Sequence, residues 1–234
     1  KADIVRKRAR GEKRMELIFD GTALQSVDLL ASSLHGMLTS GATPWFHLTL
    51  KDDELGRDEE VQAWLEDTSS RMMRAITMSN FETEVHEMYV DLVVFGTGCM
   101  FVEMDKKSMR FSTRHISEFY VAEDQFGIVD TVFRKYVLPA RQAVQRFGIE
   151  NVSTFIQKRF EKKPDEEVTV LHCVMPRKER DPTKQDNKNM PFASMYICME
   201  TKMVMQESGF QEFPYVVPRF LKATGEVMGR SPAM

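Results

Sequence analysis

His172, Cys173 and Cys198 are residue types that ligate zinc through imidazole nitrogen and thiolate sulfur. Neighbours on a strand point to opposite faces, so His172 and Cys173 diverge. No C-x-x-C or H-x₃-H pair completes a ligand set. The ordinary reading is that the cysteines pack as small apolar groups. His86-Glu87-Met88-Tyr89-Val90 opens like the H-E-x-x-H of zinc proteases, but Val90 stands where the second histidine must be. Gly96-Thr97-Gly98 has the outline of a phosphate-cradling G-x-G. Phe101 takes the third glycine position, and the pair follows a helix, where a phosphate would meet the negative end of the dipole. A helix stop is the better reading. No Walker-type G-x₄-G-K-[ST] occurs, so nucleotide hydrolysis has no cradle.

Two charged clusters remain. Glu118, Glu123 and Asp124 could serve as a two-metal nuclease site, although acids so close in sequence ordinarily form a solvated strand edge, and Asp124 with Gly127 suits a turn. The basic lead (Arg6, Lys7, Arg8, Arg10, Lys13, Arg14) could touch nucleic-acid phosphates. Asp3 and Glu12 interrupt it and no aromatic platform accompanies it, so a solvated face competes with that reading. No catalytic residue, metal ligand or cofactor-binding residue is assigned, and no cofactor is expected.

The elements around these residues change texture along the chain. Asp20 can cap a helix with Leu24, Val27, Ala31, Leu34 and Leu38 on one side, stopped by Gly41 and Pro44. Trp45 to Leu50 reads as a short strand. A second helix aligns Val61, Leu65, Met72 and Ile76 with Trp64 beside them. Ser79-Asn80 can cap a third, whose Phe81, Val85, Met88, Leu92 and Phe95 make the strongest helical period. Strands follow at 99–104, 109–113, 118–121 and 128–137, then short helices near 139–160. A strand at 168–175 and a meander of 192–200, 203–207 and 215–221 complete the pattern. The class is α+β, with a mainly helical part over residues 1–98 and a mainly β part over 99–234. The strands could curl into a small barrel-like sheet.

The chain has 234 residues, 32 basic and 35 acidic, so no global field draws it to DNA or lipid. Three scattered cysteines do not make a disulfide framework and favour a reducing environment during folding. No apolar run approaches the roughly 20 residues of a membrane span, and no signal peptide opens the chain. Seventeen methionines suit cores and subunit interfaces alike. Ser231-Pro232 has the form of a helix opening at the very end, which leads us to expect a fragment of a longer protein.

The order of local motifs is more specific than any one of them. Asp20-Gly21-Thr22-Ala23, Leu29 through Leu34, Pro44-Trp45-Phe46-His47-Leu48 and Val61-Gln62-Ala63-Trp64-Leu65 come first. Ser79-Asn80-Phe81, Tyr89 through Gly98, and Glu118-Phe119-Tyr120-Val121-Ala122-Glu123-Asp124 follow. Gly127 to Asp130 with Arg134, Gln142 through Gly148, and Val170-Leu171-His172-Cys173-Val174 come next. Ser208-Gly209-Phe210, Pro214-Tyr215, Pro218-Arg219-Phe220 and Gly229-Arg230-Ser231-Pro232 close the series. In this order the chain resembles the head-to-tail connector (portal) proteins of short-tailed bacteriophages, over nearly its whole length.

The resemblance implies a structural ring subunit, not an enzyme, located in the virion at one capsid vertex after synthesis in the host cytoplasm. It implies a dodecameric ring in contact with the major capsid protein, the terminase large subunit and tail adaptor proteins. Double-stranded DNA would pass through the tunnel, and no membrane is involved. The family's tunnel helices and clip are expected after Pro232, which makes this chain chiefly the outer wing region. Trp45 and Phe46 are then candidate interface anchors. A metal-dependent nuclease or hydrolase, and another virion adaptor or tail protein, stay open as alternatives.

Overall fold

A computed structural model describes residues 20–52, 54–104, 108–184 and 186–232. The basic lead lies outside the described residues. The chain divides into two compact units, one of residues 1–116, 216–224 and 228–234, the other of residues 117–215 and 225–227.

Among the described residues, the first unit has three α-helices. Helix α1 spans Thr22–Leu38. The Asp20 carboxylate accepts hydrogen bonds from the Thr22 amide and hydroxyl at 2.9 and 2.7 Å, tying down the helix start. Those two bonds hold the Asp20 pKa below its ordinary value. Helix α2 spans Glu59–Thr77, and Asp58 caps it by accepting from the Glu60 and Val61 amides. Helix α3, Phe81–Phe95, is the buried one: Phe81, Val85, Met88, Tyr89, Leu92 and Val93 all point inward. Strands β1 (Met100–Met104) and β2 (Met109–Thr113) pair antiparallel, Met100 opposite Thr113 and Met104 opposite Met109. The core joins Ala31 of α1 to the apolar stripe of α3 and to Met100 and Phe111. The passage from helix to strand near residue 98 therefore lies inside one packed body.

Asn80, expected to cap α3, makes no side-chain cap. Its amide instead donates to the Phe111 carbonyl at 2.8 Å and accepts from the Phe111 amide at 2.9 Å, as an extra strand residue would. The Ser79 hydroxyl takes the capping role by accepting from the Phe81 amide at 3.1 Å.

The second unit is an antiparallel sheet of order β3-β4-β5-β6-β7. Its strands are Phe119–Glu123, Val129–Pro139, Glu167–Pro176, Phe192–Cys198 and Met203–Phe210. Helices α4 (Ala140–Phe147) and α5 (Thr154–Lys162) form the connection between β4 and β5. They bury Ala140, Ala143, Phe147 and Ile156 against Tyr136, Val168, Val170, Tyr196, Cys198 and Met205 of the sheet. Residues on the other face, such as Phe133, Leu171, Met195 and Ile197, are only half-buried.

The α+β class and most strand positions agree with the sequence pattern, while the barrel-like closure does not. Closure would pair β3 with β7, and these stand at opposite edges of an open sheet. The strand expected at 215–221 shortens to β8, Tyr215–Val216, which edges the sheet of order β2-β1-β8. Pro214 and Pro218 lack the amide hydrogen that a longer ladder needs. Beyond Pro218 only isolated bridges join Thr97 to Arg219 and Leu221 to Arg230.

Candidate functional site

The residues that suggested metal chemistry are separated or already engaged. His172 pairs with Tyr196 and Cys173 with Met195 across β5 and β6, so the two side chains lie on opposite faces. His172 is buried, with one ring nitrogen 3.1 Å from the Tyr215 hydroxyl and the other 3.0 Å from the Ser194 hydroxyl. Its ring stacks on Tyr196 at 4.0 Å, and the Arg146 guanidinium covers that tyrosine from 4.8 Å. Both hydroxyls can donate or accept, so each ring nitrogen has a partner within the fold. Cys198 lies 3.4 Å from the Glu200 carboxylate, and burial raises the Cys173 thiol pKa.

Two of the three clustered acids, Glu118 and Asp124, have structural partners. Glu118 accepts from Arg134 at 2.9 and 2.8 Å, and the same guanidinium lies 4.1 Å over the Tyr136 ring. One Asp124 oxygen accepts from the Phe126 and Ile128 amides, forming the turn into β4. Among the described residues, no group of three or more His, Cys, Asp or Glu side chains could hold a metal ion.

The glycine pair serves the chain itself. Gly96 has φ +77°, the left-handed conformation of a helix stop, and a Cβ there would overlap the Arg230–Ser231 backbone. The Gly229 amide donates to the Thr97 hydroxyl at 2.7 Å, and the Ser231 hydroxyl donates to the Val93 carbonyl at 2.7 Å. The glycines thus admit a returning stretch of polypeptide rather than a phosphate.

One electrostatic feature was not visible in the sequence. His86, Glu87, Val90 and Asp91 of α3 line a small pocket with Thr113 and His115. Burial pushes the Asp91 pKa from 3.8 up to about 6, partly opposed by His115 and reinforced by Glu87. Helical spacing brings Glu87 and Asp91 together, but only the fold adds His115 from just beyond β2.

The larger surface features are apolar and exposed. Trp45 stacks on Phe81 with ring centroids 5.8 Å apart and makes an edge contact with Phe46 at 4.9 Å, yet remains 37% exposed. Phe46 turns into a cleft of about 790 Å³ between residues 44–50 and α2. Leu48, Leu50, Leu65 and Met73 share that lining with Asp52, Arg57 and Glu66. Nearby, α1 buries only Ala31 and leaves Leu29 71% and Met37 75% exposed. Helix α2 buries only Leu65 and leaves Trp64 62% exposed. Both helices therefore leave large apolar side chains open to solvent.

The family described as bacteriophage head to tail connecting protein matches residues 2–234. The chain belongs to that family. It is 35% identical over 235 residues to a probable portal protein of Bordetella phage BPP-1, covering 98% of this chain and 42% of that protein. It is 36% identical over 215 residues to a portal protein of Salmonella phage epsilon15, covering 90% of this chain and 39% of that one. The chain thus spans about two-fifths of the length of these curated relatives. As a connector-family chain, its prominent surface features are apolar faces, and its polar clusters are internal ties.

Proposed function

We propose that this chain is the wing region of a portal subunit, and that its work is to pack against neighbouring copies in a ring at the head–tail vertex. The observation that carries this reading is the family match over residues 2–234, together with identity to phage portal proteins. The physical support is that α1 and α2 each bury a single residue within the isolated subunit. Helices of 17 and 19 residues gain most of their stability by burying a face, so a neighbouring subunit is the natural cover.

The function is structural in this proposal: the ring conducts double-stranded DNA and offers a platform to the terminase, the tail adaptors and the major capsid protein. The ring is dodecameric and part of the virion. Trp45 and Phe46 act as interface anchors, Trp45 fixed by its stack on Phe81 and Phe46 presented at the cleft. Adjacent subunits meet through unlike faces, as a closed ring requires.

Negative-stain electron microscopy of the purified full-length protein tests the reading. Closed rings with a central opening are expected. Particles that remain single subunits across salt and concentration would overturn it.

A further inference from the structure

The stretch from Pro44 to Leu50 runs without turn or bend, and its burial alternates as a strand's does. Phe46 and Leu48 are half-buried towards α2, while Trp45, His47 and Thr49 are exposed. Within it, a single main-chain hydrogen bond to a described residue forms, from the Leu48 amide to the Ser69 hydroxyl at 3.0 Å. A strand-like segment with an unpaired edge is a template for another extended chain. The cleft beside it is floored by apolar side chains, with Asp52, Glu66 and a single cation, Arg57, at its wall. Residues 51–67 carry eight acidic side chains against two basic ones. An occupant that fits this acidic stretch and the apolar floor is extended, partly apolar and basic.

The sequence contains a segment of that chemistry. Residues 1–14 hold seven basic side chains against two acidic ones, with Ile4 and Val5 among them. We propose that the cleft and the free edge of residues 44–50 receive the basic N-terminal segment of a second copy of this chain, an interaction that rests on the ring assembly proposed above. Main-chain pairing along residues 44–50 supplies the register, and charge pairing with Asp52 and Glu66 supplies the preference for a basic chain. Donor and acceptor are different surfaces, so each copy can give to one neighbour and receive from the other. That arrangement propagates around a ring without being used up in a symmetric pair.

Isotopically mixed assemblies test the proposal. Equal amounts of nitrogen-15-labelled and unlabelled full-length protein are mixed before assembly, then treated with a carbodiimide that joins lysine amines to carboxylates. Peptides joining Lys7 or Lys13 of one isotopic form to Asp52 or Glu66 of the other are expected. The yield at Asp52 should fall severalfold in Glu66→Gln, an exposed change that leaves the fold intact. Joins confined to peptides of one isotopic form would overturn the proposal. Closed rings without these joins would overturn it and leave the ring reading standing. Mixed-isotope joins in species that never close would support the docking and overturn the ring reading instead.

Discussion

At the scale of single residues, Asn80 ties α3 to β2 by giving both its oxygen and its nitrogen to the Phe111 backbone. Asn80→Ala leaves a part-buried amide and carbonyl without that partner and should cost about 1–3 kcal/mol in urea denaturation. Asn80→Asp keeps the acceptor alone and should fall between alanine and the native residue. At Gly96, alanine meets both a positive φ and the Arg230 backbone, so Gly96→Ala should lower stability by more than about 1 kcal/mol. Asp91 predicts a pH effect. Its folded pKa is raised from 3.8 to about 6, so the folded state holds that proton more tightly than the unfolded chain. The resulting stabilisation is complete below the unfolded value and is lost as pH rises through about 6. Asp91→Asn should therefore raise the melting temperature at neutral pH, and that advantage should vanish as pH falls towards 4. Gly96 was legible as a helix stop because Gly-Thr-Gly follows a long apolar period. The role of Asn80 was not, since it depends on Phe111, 31 positions away, and the Asp91 shift was not, since it comes from burial that only the fold creates.

At the scale of elements, the second unit depends on α4 and α5 covering one face of the sheet. Ile156 is fully buried there, and Ile156→Ala should cost about 2–5 kcal/mol by leaving a cavity under α5. His172→Phe keeps a ring against Tyr196 but gives up the contacts to Ser194 and Tyr215, and should cost about 1–3 kcal/mol. Differential scanning calorimetry on each variant checks both. Periodicity located these elements because buried residues recur along one face of β4, β5 and β6, although runs such as His172–Val174 and Ala193–Ser194 interrupt the alternation. Pattern alone fails where the partner is absent. Residues 45–50 have the alternation of a strand but no ladder within the described chain, and prolines cut short the strand begun at Tyr215. An open sheet and a barrel share one strand pattern, so the sequence could not decide between them.

At the scale of the whole molecule, the polar clusters that invited catalytic readings are tied up within the fold, while the exposed features are apolar. Glu118 is paired with Arg134 and Asp124 holds the turn into β4. A nuclease would show DNA cleavage with Mg²⁺ that disappears on Glu123→Ala, and no such cleavage is expected. Motif order carried the family further than any single residue did, because each motif is short and common but their sequence is not. The surfaces that would meet neighbours were only partly legible: Trp45 and Phe46 stood out by type, whereas the cleft beside α2 exists only once Phe46 and Leu48 fold against that helix.

Assembly into a closed ring is the property that the proposed function requires. Mass photometry of the full-length protein, from nanomolar to micromolar concentration, reads it without labels or partners. One discrete species is expected, with a mass about twelve times that of the subunit, and its loss to smaller species in Phe46→Glu. A single-subunit mass throughout, for the native protein under every salt condition, would contradict it.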